Sequence, residues 1–215
     1  MRHTVRFWRE AQGASAVEFA LVLPVVILFL LGIIDVGRFI WNTNEIEKAV
    51  QIGTRWAVAT DYLPVGLEDY SYAVSGGVPQ GEVVPQSKFT GFACTSAGCM
   101  CEGLDTDGDG VLDAEAKCGV TDSTVAVDAA AFGNLVGRMQ SIYAGIGPNN
   151  VEVNYDWSGL GYSGDPNGSD VDPLVTVTVK DVGFRPIFLA GIFDFGLPDL
   201  SYTLTMEDGE GAFSN

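Results

Sequence analysis

Histidine is almost missing from this chain: the single copy, His3, stands within the first ten residues. Without another, no Ser-His or Cys-His relay can be built in the rest of the molecule, and no glycine-rich phosphate loop follows an apolar strand. Acids are plentiful, but nothing in the sequence pairs two of them in a cleft, so no enzymatic activity is expected. Basic residues are scarce as well, 11 Lys and Arg against 28 Asp and Glu, a formal net charge of −17. Arg2, Arg6 and Arg9 take three of them, which leaves 8 basic and 27 acidic residues from Ala14 onward. Such a body repels polyanions, which excludes nucleic acid as a partner and disfavours docking on anionic lipid through charge. Cysteine is limited to four residues between Cys94 and Cys118. None stands near the start, where a lipoprotein would need one.

Long apolar runs are also few, and one organises the chain. From Ala14 to Ile34 there are 21 residues with a single charge, Glu18. At about 1.5 Å of rise per residue a helix of that length crosses the hydrocarbon layer of a bilayer. The basic start stays on the cytoplasmic side by the positive-inside rule, and everything after Ile34 is expected beyond the membrane. The run exceeds a typical signal-peptide core and lacks a small-x-small cleavage site after it, so removal of the whole run is not expected. The remainder suits one exported domain of roughly 150 residues.

Glu18 needs a reason, because a carboxylate in lipid costs about 2.5 to 3.5 kcal/mol or more unless it lies at the interface or finds a partner. In one reading the run is a plain bitopic anchor with Glu18 in the headgroup zone. In the other, Gly13 ends a leader, cleavage frees the amine of Ala14, and Glu18 becomes the fifth residue of the mature chain. Gly13-Ala14-Ser15-Ala16-Val17-Glu18-Phe19 resembles the processing site of type IV pilin-like precursors. With Ala20-Leu21-Val22-Leu23-Pro24 and, after the run, Ile34-Asp35-Val36-Gly37-Arg38, it resembles the start of TadE-type proteins, the minor pseudopilins of tight-adherence (Flp) pili. The resemblance implies a prepilin peptidase cutting after Gly13. It also implies that Glu18 meets the N-terminal ammonium of a neighbouring subunit, an ion pair poorly screened inside a membrane or filament.

The helical pattern continues past the run. Phe39, Ile46, Ala49, Val50, Gly53, Trp56 and Ala57 recur at three- and four-residue intervals among polar residues, which extends one helix of more than 40 residues to about Ala59. Pro24 removes one backbone hydrogen bond inside it and favours a bend. Residues 61–92 read as irregular, with Val83-Val84 a short strand or extended edge.

The four cysteines of 94–118 most simply form two disulfides in an oxidising compartment. Cys99 with Cys101 is disfavoured, since residues two apart rarely reach disulfide geometry. Cys94 with Cys99 and Cys101 with Cys118 are the favoured pairs, a zinc site on the same thiols being the alternative. Inside the second bracket, Asp105, Asp107 and Asp109 followed by Gly110 repeat the first half of an EF-hand-type calcium loop, with the Val111 carbonyl and Asp113 as further ligands. The twelfth position is Ala116 and not Glu, so Glu115, Glu102 or Asp122 would have to complete the shell. A structural Ca2+ in the affinity class of extracellular modules is expected.

A second helix is expected over Val125 to Tyr143, capped by Ser123 or Thr124, with Ala129, Phe132, Leu135, Val136, Met139, Ile142 and Tyr143 on one face. Val151–Tyr155, Leu174–Lys180 and Ser201–Met206 alternate as strands. The apolar segment 184–198 either folds over an open sheet edge or forms a partner surface or membrane-facing flap. Its order, after Val-Thr-Val-Thr-Val and before Gly-Leu-Pro and a Thr-rich strand, also resembles the TadE-type C-terminus.

The expected architecture is α+β and pilin-like: leader 1–13, membrane segment 14–34, helix extension 35–59, and a soluble domain 60–215 holding the Cys-rich acidic loop. The expected role is a minor pseudopilin of the inner membrane, joining other pilins through its helix on an assembly platform that serves adhesion or secretion. The contrasting expectation is an uncleaved, membrane-anchored calcium-binding receptor or adhesin module.

Overall fold

A computed structural model of the chain describes residues 11–103, 118, 124–166, 168–190 and 195–206, the side chains of 11–15, Thr124 and Phe195 excepted. By compactness the chain divides into two units, Met1–Asn42 with Gly183–Leu197, and Thr43–Val182 with Pro198–Asn215.

Helix α1 (Ala11–Ala57) is 47 residues long and continuous through Pro24. Few breakers interrupt it, and Pro24, lacking an N–H, leaves the Ala20 carbonyl without its usual acceptor role. It is long and apolar enough to cross a membrane, and its side chains from Ala16 to Leu30 are exposed along the whole stretch. In a soluble core such a helix would be covered; here an apolar surroundings is what the pattern calls for.

In the first unit, α1 is joined by a short ribbon of β6 (Gly183–Phe184) and β7 (Phe195–Gly196). The apolar segment therefore pairs its own ends, separately from the main sheet. Phe184 packs edge-on against Phe39 of α1, ring centroids 5.3 Å apart.

The second unit is built on an antiparallel sheet of six strands: β1 (Phe92–Thr95), β2 (Gly98–Cys101), β3 (Thr124–Val125), β4 (Val151–Asp156), β5 (Leu174–Val179) and β8 (Leu200–Thr205). Their order is β3-β2-β1-β4-β5-β8. Alternation does the sorting: Val151, Val153 and Tyr155 of β4 and Val175, Val177 and Val179 of β5 are buried, while the residues between them stay partly exposed. The three strands expected after residue 150 are these, shifted by one residue at most at either end.

The last turns of α1 bury Ile46, Ala49, Val50 and Ala57. Thr54 Oγ1 donates to the Val50 carbonyl within its own helix and stands 3.2 Å from the Tyr202 carbonyl on the edge strand β8. Helix α2 (Ala129–Gln140) buries Phe132, Leu135, Val136 and Met139, each worth about 1.5 to 3 kcal/mol of apolar transfer.

Helix α2 begins four residues later than the sequence suggests. Asp128 is its cap, its Oδ1 accepting from the N–H groups of Ala130 and Ala131 at 2.8 and 2.9 Å. Thr124 and Val125 are instead paired with β2, and Val127 makes an isolated bridge to Pro64, so the β-branched residues ahead of Asp128 are consumed by extended pairing. Ala129 is exposed, and Ile142 and Tyr143 lie beyond the helix end. Val83 and Val84 form no strand; Val84 is buried in an irregular segment, and its carbonyl accepts from Trp157 Nε1 at 2.8 Å.

Buried tyrosines tie the irregular segment to β4 and to the loop that follows it. Tyr62 donates to the Val171 carbonyl at 2.7 Å, and the hydroxyl of Tyr155, on β4, accepts from the Leu63 N–H at 3.2 Å. Burial raises the ionisation of both phenols far above the ordinary tyrosine range, so they serve as neutral hydrogen-bonding groups.

Candidate functional site at the end of the apolar run

Asp35 is the first residue after the apolar run, and its side chain is almost wholly buried. Three successive amides converge on it. The Ile187 N–H donates to Oδ1 at 2.8 Å, and those of Phe188 and Leu189 donate to Oδ2 at 2.8 and 2.9 Å. Arg38, one turn on, places Nη1 3.6 Å from the carboxylate, lies over the Phe184 ring, and donates to the Arg185 carbonyl. Burial by itself would raise the carboxyl's pKa, but the three amides together with Arg38 outweigh it and hold Asp35 below the ordinary carboxylate value. Chemically this is a backbone anion nest filled by the protein's own acid. Its work is positioning: it fastens 187–189 to α1.

Sequence reading placed Asp35 in a motif without giving it a role. Its partners lie about 150 residues away in the chain, and successive main-chain amides leave no signature in side-chain pattern.

Gly13 and Ala14 lie within the helical backbone of α1, so the expected processing point falls inside a helix. Glu18 follows Ala14 by four residues, which puts the two positions on the same face, and its side chain is exposed. Nothing in the chain itself pairs with Glu18 among the described contacts.

The cysteines join as Cys94 with Cys99 and Cys101 with Cys118, with Cα atoms 4.0 and 5.9 Å apart. Cys94 and Cys99 face each other across the β1–β2 hairpin. With all four thiols oxidised, no thiolate is left for zinc. Asp105, Asp107, Asp109, Val111, Asp113 and Glu115, and Asp122 after them, lie outside the described residues. Among the described residues no group of three or more His, Cys, Asp or Glu is placed to hold a metal ion.

Glu102, at the entrance to that loop, is described. Its Oε2 and Asp156 Oδ1 both approach Gly91, which takes φ of +127° and whose Cβ, were there one, would stand 2.8 Å from the Tyr155 carbonyl. Burial raises the pKa of Glu102, with the charges of Asp156 and Glu152 adding to it, and burial does the same to Asp156. An acid whose pKa rises on folding stabilises the fold below its unfolded value and loses that contribution as pH rises through the folded one. Thermal unfolding followed from pH 7 down to pH 4 should therefore show Glu102→Gln gaining on the native chain at pH 7 and losing that advantage once the pH is below the unfolded value of 4.5.

Comparison with known proteins bears on the N-terminal part alone. Residues 13–55 match the TadE-like protein family. The matched stretch contains Gly13, Glu18, Asp35 and Arg38, and stops before the first strand of the sheet. TadE-like proteins are associated with tight-adherence pili and are generally not enzymes. The single N-terminal apolar helix fits a single-pass membrane anchor in a protein of that kind. No curated protein and no solved structure matches the chain significantly.

Proposed function

We infer that the chain is a minor pseudopilin: a membrane-held precursor, cut after Gly13 by a prepilin peptidase, whose helix packs laterally with those of other pilins on an inner-membrane assembly platform. The observation that carries this reading is the TadE-like match over residues 13–55, with Glu18 exposed four residues after Ala14. Cleavage would supply the missing partner, an α-ammonium at Ala14 of a neighbouring copy or pilin. In that role the exported domain is non-catalytic and faces the periplasm or the exterior.

Mass spectrometry of the protein recovered from membranes tests the cut. A mature chain beginning at Ala14 is expected; one beginning at Met1 leaves Glu18 without its ammonium and favours an uncut anchor. Glu18→Gln should leave membrane insertion intact while abolishing incorporation into pili, scored by counting pili and by the chain's presence in sheared filaments. Normal incorporation of that variant would sink the ion-pair role.

The loop from Asp105 to Glu115 is proposed to hold a structural Ca2+, the charge pattern being its support. Titration calorimetry of the full-length protein in detergent should show binding with a dissociation constant on the order of 10⁻⁴ to 10⁻³ M. Asp107→Asn with Asp109→Asn should remove the heat, and a flat titration of the native chain would refute the site.

A further inference from the structure

We propose that residues 184–190 form a membrane flap, seated in the headgroup layer of the leaflet from which α1 emerges, with Ile187 and Phe188 against the upper acyl chains. This rests on reading α1 as a membrane helix. Depth carries the argument. A Cβ placed on Gly32 would stand 3.6 Å from Leu189 Cδ1, so Leu189 lies against a residue inside the apolar run. Gly32 is three residues before Asp35, about 4.5 Å lower along the helix axis. If the run is in lipid, the flap reaches the same level.

The flap is built for that place. Ile187 is 59% exposed and Phe188 44%, on the part of the chain where Leu30, Ile33, Ile34 and Val36 of α1 are exposed too. Non-helical backbone is tolerated at membrane depth only when its N–H groups are satisfied within the protein. Three of the flap's amides are satisfied by Asp35. A cavity of about 200 Å³ between Val36, Phe39, Phe184, Pro186 and Leu189 gives room for the end of an acyl chain.

Charge agrees with one leaflet surface. The exported part has only 8 basic residues, and two of them, Arg38 and Arg185, stand at the flap. Their cations suit lipid phosphates at the level where the apolar atoms enter. The repulsion expected of the acidic body is thus offset locally.

The test uses the full-length chain in vesicles of phosphatidylethanolamine and phosphatidylglycerol, with photoreactive p-benzoylphenylalanine replacing Phe188. Parallel samples carry it at Phe29, in the apolar run, and at Val74, 84% exposed in the other unit. After irradiation and mass spectrometry, lipid adducts are expected at 188 and 29 and none at 74. Lipid adducts at 29 without any at 188 would overturn the flap and leave the membrane helix standing. Adducts from 188 to a second copy of the chain in place of lipid would overturn it as well, assigning the surface to subunit packing. Absence of lipid adducts at 29 would remove the membrane reading and the flap with it.

Discussion

Gly53→Leu is expected to unseat α2 from the outer turns of α1 and to lower stability by about 1 to 3 kcal/mol or more, the usual cost of overpacking a filled core. A Cβ alone at Gly53 would stand 2.8 Å from both Cγ and Sδ of Met139 and 3.4 Å from Leu135 Cδ1. Met139 is fully buried, so it has nowhere to retreat. Even Gly53→Ala should destabilise, although alanine favours a helix interior over glycine by about 1 kcal/mol. At Gly133 and Gly137, both exposed on α2, an added Cβ meets nothing within 4 Å. Gly133→Ala and Gly137→Ala should each stabilise by roughly 0.5 to 1 kcal/mol. Denaturant unfolding of the three alanine variants reads the sign directly. A stabilised Gly53→Ala would mean that the two helices do not approach as closely as described.

Asp35→Ala should free the 187–189 segment. Three amides lose their acceptor at once, and among the described residues they have no other, so their hydrogen exchange should speed up by orders of magnitude while that of β4 and β5 is unchanged. Asp35→Asn keeps the shape but exchanges one acceptor oxygen for a donor, and should restore only part of the protection. The same contacts set a pH dependence. The Asp35 carboxyl is more acidic folded than its unfolded value of 3.8, so its contribution is complete above that value and is lost as pH falls below it through the folded pKa. Protection at 187–189 should accordingly hold at pH 5 and above and decline in strong acid. Uniform exchange rates in Asp35→Ala and the native chain would show that the carboxylate does not hold the segment.

The features set by local chemistry were legible. The run of exposed apolar residues in α1, the alternation of β4 and β5, and the packing face Phe132, Leu135, Val136 and Met139 all follow from side-chain periodicity; β8 forms where its sequence alternates, although its burial does not. The spacing of the cysteines also pointed to the pairs that formed. What stayed hidden depended on distant partners. β1 and β2 carry cysteines and glycine where alternation would be read, and β3 is two residues long. The start of α2 was misplaced because Ser123, Thr124 and Asp128 can all cap a helix, and only pairing of Thr124 and Val125 with β2 leaves Asp128 to do so. Glu18 was visible as a charge in an apolar run. Asp35 was visible too, but its ligands are amides of a segment that the sequence left between two fates.

The cysteine bonds carry a consequence for the order of assembly. All four cysteines precede α2, β4, β5 and β8 in the chain. Under the proposed export of everything after the apolar run, a polypeptide threaded outward would present Cys94, Cys99, Cys101 and Cys118 to oxidant while the later strands were still inside. Both bonds could then be sealed before β4 arrives to give β1 its neighbour, making a pre-stitched corner onto which the remaining strands are laid.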